Sequence, residues 1–193
     1  MSDPVLHVLA GPNGAGKTTL YERVIGPVTS LPFVNADRIA AARWPGNELA
    51  HGHEAAAAAA AERTRLIGLG ESFVAETVFS HPSKVDLLAA ARSVGYLVTL
   101  HVVMVPLDLA VLRVGDRVGR GGHDVPEAKI EQRWHRLWGH VVAALPEADE
   151  AVVYDNSRAA DPYRRVAVFR HGRPVGQPDW PDWTPSELRA AAA

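Results

Sequence analysis

The chain has 193 residues, with 20 Lys and Arg against 22 Asp and Glu and a net charge of −2. At 47% hydrophobic and 22% charged residues it has the makeup of a soluble globular protein, long enough to bury a core without disulfide or metal staples. It has no cysteine, which excludes disulfide scaffolds, thiolate metal sites and Cys nucleophiles, and its near-neutral balance argues against a nucleic-acid coat or a polybasic membrane binder.

The N-terminus, MSDPVLHVLAGPNG, has no basic segment, and its apolar run is too short for a signal peptide. No stretch approaches the ~20 apolar residues that span a bilayer, so the chain reads as cytoplasmic. Val5–Ala10 is a first buried strand, followed by a glycine-rich loop, Gly11–Gly16, and a helix from Lys17 to about Ile25. Pro32–Asn35 is a short second strand that runs into Asp37, and a helical turn over Ile39–Arg43 stops at Trp44-Pro45-Gly46. A long alanine-rich helix covers about Glu48–Leu69 and ends at Gly70. Phe73–Phe79 is a third strand, and Ser80-His81-Pro82-Ser83 opens a helix that ends near Gly95. Tyr96–Val105 is a fourth strand, and Pro106-Leu107-Asp108 starts the next helix. Arg120–Asp124 is a break, Pro126–Ala144 a helix, Ala151–Tyr154 a fifth strand and Arg165–Phe169 a last one. The segment Gly172–Pro185 holds four prolines and two tryptophans and is expected to be irregular. Short apolar runs alternating with helices predict an α/β fold with crossover helices on a mainly parallel, five-stranded central sheet. Residues 1–171 form that domain, with a helical lid at about 113–136, and 172–193 form the tail.

The loop Gly11-Pro12-Asn13-Gly14-Ala15-Gly16-Lys17-Thr18 matches G-x-x-x-x-G-K-[ST] in full, between a strand and a helix. Glycines let successive backbone N–H groups turn inward on an anion, and the helix N-terminus adds partial positive charge. Lys17 is placed to reach the β- and γ-phosphates, the Thr18 hydroxyl to ligate Mg²⁺, and Thr19 to contact the α-phosphate. Only three of the 20 basic residues are lysines, so Lys17 stands out in a chain that otherwise uses arginine.

Asp37 follows the second strand, on the edge of a parallel sheet where ligands bind. It is a candidate general base toward an acceptor hydroxyl, a holder of Mg²⁺ through water, or a helix N-cap. Glu76, inside an apolar strand, needs a partner or a cleft. It reads as a water-mediated Mg²⁺ contact, a hydrogen-bond partner of an acceptor hydroxyl, or half of an ion pair with an arginine. Thr77, Ser80 and His81 follow at the strand end and are placed to line an acceptor pocket, with His81 equally suited to capping the next helix. Arg113, Arg117 and Arg120 share one helix face, and Arg133 and Arg136 lie on the following helix, so the two helices can close over phosphates. The competing reading of each arginine is a solvated face paired with Asp116, Glu127 or Glu131. His123 has no second ligand at metal-site spacing, and His51 and His53 face different ways. Asn156, after the fifth strand, is placed to hydrogen-bond a base edge or to form an Asx turn.

The five segments GPNGAGKTT (11–19), FVNAD (33–37), FVAETVFS (73–80), RVGDRVGRGGHDVP (113–126) and VYDNS (153–157), in that order and spacing, resemble the zeta toxin family of P-loop kinases. The resemblance covers about Val5 to Arg170. It implies a three-layer P-loop kinase fold, ATP or GTP with Mg²⁺, and transfer of the γ-phosphate to the 3′-hydroxyl of the amino sugar in UDP-N-acetylglucosamine or a similar nucleotide-sugar. By that resemblance Asp37 is the general base, Lys17 and Thr18 hold phosphate and metal, and Glu76 and Thr77 contact the acceptor. Arg117 matches a lid arginine, Arg120 and Arg133 share that role, and the chain carries Gly-Gly-His where better-studied members have a second lid arginine. Any antitoxin partner is expected to be a separate protein.

Overall fold

A computed structural model describes residues 3–119 and 125–193. Strand β1 (Val5–Ala10) leads into the loop and helix α1 (Lys17–Leu20), which continues through a π-helical turn, Tyr21–Ile25, into α2 (Gly26–Thr29). The helix therefore runs past the expected end at Ile25. Pro27 explains the wide turn, because its ring removes a donor and crowds the preceding turn. Strand β2 (Phe33–Val34), helices α3 (Ala36–Arg43) and α4 (Gly52–Leu69), strand β3 (Phe73–Thr77) and helix α5 (Ser83–Ser93) follow. Strand β4 (Leu97–Met104), helices α6 (Leu107–Gly119) and α7 (Glu127–Ala144), and strands β5 (Glu150–Asp155), β6 (Arg164–Arg170) and β7 (Arg173–Pro174) precede a last helix, α8 (Ser186–Ala191).

The sheet has seven strands in the order β2-β3-β1-β4-β5-β6-β7. The five expected parallel strands form its centre, from β2 to β5, and β6 and β7 extend it antiparallel. Both faces are buried, which is why β1 and β4 read as largely apolar runs, interrupted by His7 in β1 and by Thr99 and His101 in β4. One face packs Leu6, Val8, Phe73, Ala75 and Leu100 against α4, α5, α7 and α8, and the other packs Leu9, Val74 and Val103 against α1 and α6.

The segment Gly172–Pro185 is irregular apart from a two-residue strand, and a helix follows it. His171 and Gly172 both take positive φ, 47° and 77°, and turn β6 straight back into β7, as a two-residue hairpin requires. The prolines set turns, and Pro185 is followed by α8, whose Leu188 is 0% exposed in the core beside α7. Trp180 and Trp183 pack against the same cluster. No helix among the described residues is long and apolar enough to cross a membrane.

Candidate active site

Strand register assembles the site. Leu9 lies opposite Glu76 and Ala10 opposite Thr77, so Glu76 comes level with the point where β1 gives way to the glycine loop. Val34 pairs with Ala75, which brings Asn35, the next residue of its strand, level with Glu76 on the other side. Glu76 thereby becomes the hub of the site. Its Oε2 accepts hydrogen bonds from Thr18 Oγ1 and Asn35 Nδ2, both at 2.8 Å, and its Oε1 lies 3.9 Å from Lys17 Nζ. The expected partner of Glu76 as an ion pair is thus a lysine and not an arginine. Its bond to Thr18 places two hard oxygen donors side by side, a set that suits Mg²⁺.

Lys17 is only 6% exposed, and Nζ donates to the Pro12 carbonyl at 2.9 Å. Burial lowers its pKa, while the negative charges of Glu76 and Asp37 oppose that shift. A nearly buried ammonium at the mouth of a loop of inward-turned amides fits a polyphosphate. Two glycines of the loop have no alternative. Gly14 and Gly16 hold φ of 76° and 92°, and a Cβ at Gly16 would lie 2.7 Å from Asn156 Nδ2 and 2.9 Å from the Tyr163 hydroxyl.

Asn35 caps α3, its Oδ1 accepting from the Arg38 amide at 2.9 Å. This removes the capping role considered for Asp37. Asp37 sits in the first turn of α3, exposed, with no ion pair or hydrogen bond among the described residues. Burial lowers the pKa of both Lys17 and Arg133, and the charge of Asp37 reaches each and opposes that shift. Arg133 is half-buried on α7, with Nη1 3.5 Å from Asn13 Oδ1, while Arg136 turns outward to Gln132. Arg117 is exposed on α6, near enough for its charge to lower the Lys17 pKa. Arg113, one turn earlier, has Nη1 3.5 Å from the Gly14 carbonyl. Arg120 and His123 lie outside the described residues.

Three other expected residues take different positions. Asn156 is buried and its Nδ2 donates to the Ala15 carbonyl at 2.8 Å, so its amide braces the phosphate loop. The Asx turn considered there is made by Asp155, whose Oδ1 accepts from the Ser157 amide. Thr77 Oγ1 accepts from the Phe79 amide at 3.2 Å, at a point where Phe79 adopts a left-handed φ of 67°. His81 is exposed, and its Nδ1 accepts from the Ser83 amide at 3.2 Å, the capping geometry that its place before Pro82 allowed.

The sequence reading missed Asn35 as the cap and the Glu76 partner, although the strand-to-helix junction Asn35-Ala36-Asp37 carried the signal for either residue. It also missed Tyr163, whose hydroxyl donates to the Gly16 carbonyl at 2.9 Å and lies close to Thr19 and Asn156. Nothing local to Tyr163 announces a loop 147 residues away.

Among curated proteins nothing matches the sequence. Among solved structures, the AvrRxo1-ORF1:AvrRxo1-ORF2 complex with sulphate ions superimposes with a TM-score of 0.72 at 18% identity, over 97% of this chain and 63% of that one. This chain thus spans less than two thirds of that relative's length. The PezAT chromosomal toxin-antitoxin system of Streptococcus pneumoniae gives a TM-score of 0.61 at 15% identity, covering 80% of this chain and 68% of that one. Shikimate kinase from Acinetobacter baumannii, in complex with shikimate, gives 0.51 at 15% identity, covering 81% and 86%. At such identities the likeness is one of fold, and the fold is the P-loop kinase-like α/β sandwich. Residues 6–138 match the family model described as an AAA domain, and the chain belongs to that family.

Proposed function

We propose that the chain is an ATP- or GTP-dependent small-molecule kinase of the zeta toxin type, moving the γ-phosphoryl group to a sugar hydroxyl of a nucleotide-sugar such as UDP-N-acetylglucosamine. The observation that carries this reading is the meeting of Lys17, Thr18 and Asn35 on Glu76, with the unpaired Asp37 carboxylate beside them and facing the charge of Lys17 and Arg133.

In this reading Asp37 takes the proton of the acceptor hydroxyl as its oxygen bonds to the γ-phosphorus, and the bond to the β-phosphate oxygen breaks to release the nucleoside diphosphate. The amides of Gly11–Gly16 and the Lys17 ammonium hold the β- and γ-phosphates, and Thr19 the α-phosphate. Arg117 and Arg133, with Arg120 between them in sequence, bring positive charge to the moving group. Glu76 and Thr77 orient the acceptor, and His81 borders it. Thr18 and Glu76 are the residues that would hold Mg²⁺, which would supply charge neutralisation to the phosphates.

A solved AvrRxo1-ORF1:AvrRxo1-ORF2 complex with ATP supports the nucleotide, and PezAT, a toxin-antitoxin system, supports a separate antitoxin protein as partner. The test incubates the protein with Mg·ATP and a panel of acceptors and reads a gain of one phosphoryl mass. UDP-N-acetylglucosamine gains it with the wild type and not with Asp37→Asn. A panel that yields only ADP and free phosphate refutes the kinase reading in favour of a hydrolysing switch.

A further inference from the structure

Helices α4 and α5 each place a cation toward the same face of the sheet. Arg63 is 6% exposed, on the α4 face that also buries Ala59 and Leu66. Lys84 is the second residue of α5, half-buried, and Arg63 is near enough for its charge to lower the Lys84 pKa, which burial already depresses. Other arginines have carboxylate partners: Arg38 has Glu22, Arg65 has Glu62, and Arg164 has Asp155 and Asp179. Among the described residues neither Arg63 nor Lys84 has an ion pair or a hydrogen bond from its side chain. A largely buried guanidinium near a half-buried ammonium, neither with a carboxylate partner, suits an anion that the chain does not itself provide.

The pair stands where a kinase acceptor would lie. Helix α4 enters β3 through Gly70, so it runs antiparallel to β3, and Arg63, less than two turns from its end, comes beside the carboxyl half of that strand. Phe73 and Ala75 face the core cluster that holds Ala59, Leu66 and Leu88, and the two-residue alternation of a strand puts Thr77 on that same side. Lys84 is tied to the end of the β3 loop through its amide, which donates to the His81 carbonyl at 3.1 Å. A guanidinium fork and a mobile ammonium together suit a phosphate or diphosphate better than a single carboxylate.

We propose that Arg63 and Lys84 form an anion subsite that holds the phosphate or diphosphate group of the acceptor, so that the acceptor is a phosphoester and not a neutral sugar. This rests on the kinase reading above. The same chemistry serves a free phosphate acting as an effector, and the experiment separates the two sources.

The whole protein is saturated with Mg·AMP-PNP to fill the phosphate loop, and pyrophosphate is titrated in by calorimetry. One further equivalent binds, and Arg63→Met and Lys84→Met each weaken it at least tenfold, while the affinity for AMP-PNP holds and serves as the check on folding. In turnover, both variants raise KM for UDP-N-acetylglucosamine at nearly constant kcat, and pyrophosphate competes with that acceptor. Absence of the extra equivalent, or its retention in both variants, overturns the subsite. An extra equivalent that never competes with the acceptor makes the ligand a free anion and overturns the acceptor assignment. If no acceptor in the panel is phosphorylated while the variants still lose the extra equivalent, the kinase reading falls and the anion site stands.

Discussion

His101 offers a direct measure of how dry the sheet is beneath the active site. It lies on β4, with Nε2 3.1 Å from His7 Nδ1 on β1 and Nδ1 3.4 Å from the Tyr154 hydroxyl on β5. At 8% exposure, burial first and the neighbouring His7 second push its pKa down to about 3. An unfolded chain takes up a proton on this ring near pH 6.5, whereas the folded protein declines it until about pH 3. Stability is therefore full above pH 6.5 and falls as the pH drops through the interval to 3. At pH 5 the gap from the unfolded value is about 1.5 pH units, which at 1.36 kcal/mol per unit amounts to about 2 kcal/mol. Urea unfolding at pH 7 and pH 5 reads this out for the wild type and for His101→Leu. The variant is less stable at both pH values, since it strips partners from His7 and Tyr154. Its decline between the two pH values is nevertheless smaller than that of the wild type by about 2 kcal/mol. His7, whose own pKa burial lowers, contributes to both proteins and cancels. Parallel declines would mean that the folded protein accepts the proton on His101, and the reasoning about its burial would be wrong.

Other consequences are equally accessible. Asn35→Ala removes a helix cap, worth about 1 kcal/mol, and also a Glu76 hydrogen bond, so chemical denaturation shows a loss larger than that of an ordinary cap. Asn35→Asp keeps the cap but sets a carboxylate against Glu76, so its deficit at pH 7 shrinks as acid protonates the pair. Leu188→Ala, in the C-terminal helix, lowers stability by about 2–5 kcal/mol, as a core leucine does, while Val175→Ala, at an exposed site, stays within about 0.5 kcal/mol. Equal, small effects at both positions would return the tail to a loose appendage.

What the sequence disclosed and what it hid divide along physical lines. The parallel strands were legible because burial on both faces leaves largely apolar runs such as Leu97–Met104, and the phosphate loop because a glycine turn between strand and helix is a local event. Glu76 was legible as a problem, a carboxylate in an apolar strand, but its solution needed the register that sets it level with Leu9 and Asn35 and so within reach of Lys17 and Thr18. The bond that Asn156 makes to the phosphate loop was hidden for a similar reason. The position was sound, at the end of β5 near the loop, yet the direction of its amide depended on a carbonyl supplied by another part of the chain. The irregular course of Gly172–Pro185 was legible in its prolines, while the hairpin at His171-Gly172 and the apolar spacing of Leu188 and Ala191 carried less visible order.

The two bonds that brace the phosphate loop from behind have a consequence for how the molecule is made. Asn156 and Tyr163 reach back across 141 and 147 residues to the carbonyls of Ala15 and Gly16. A nascent chain that has emerged only as far as β4 already contains β1, the glycine loop and Glu76, but neither brace. Its loop has the right residues without the support that fixes their backbone. The ability to capture nucleotide is therefore a late property in synthesis, arriving with β5 and the turn that follows it.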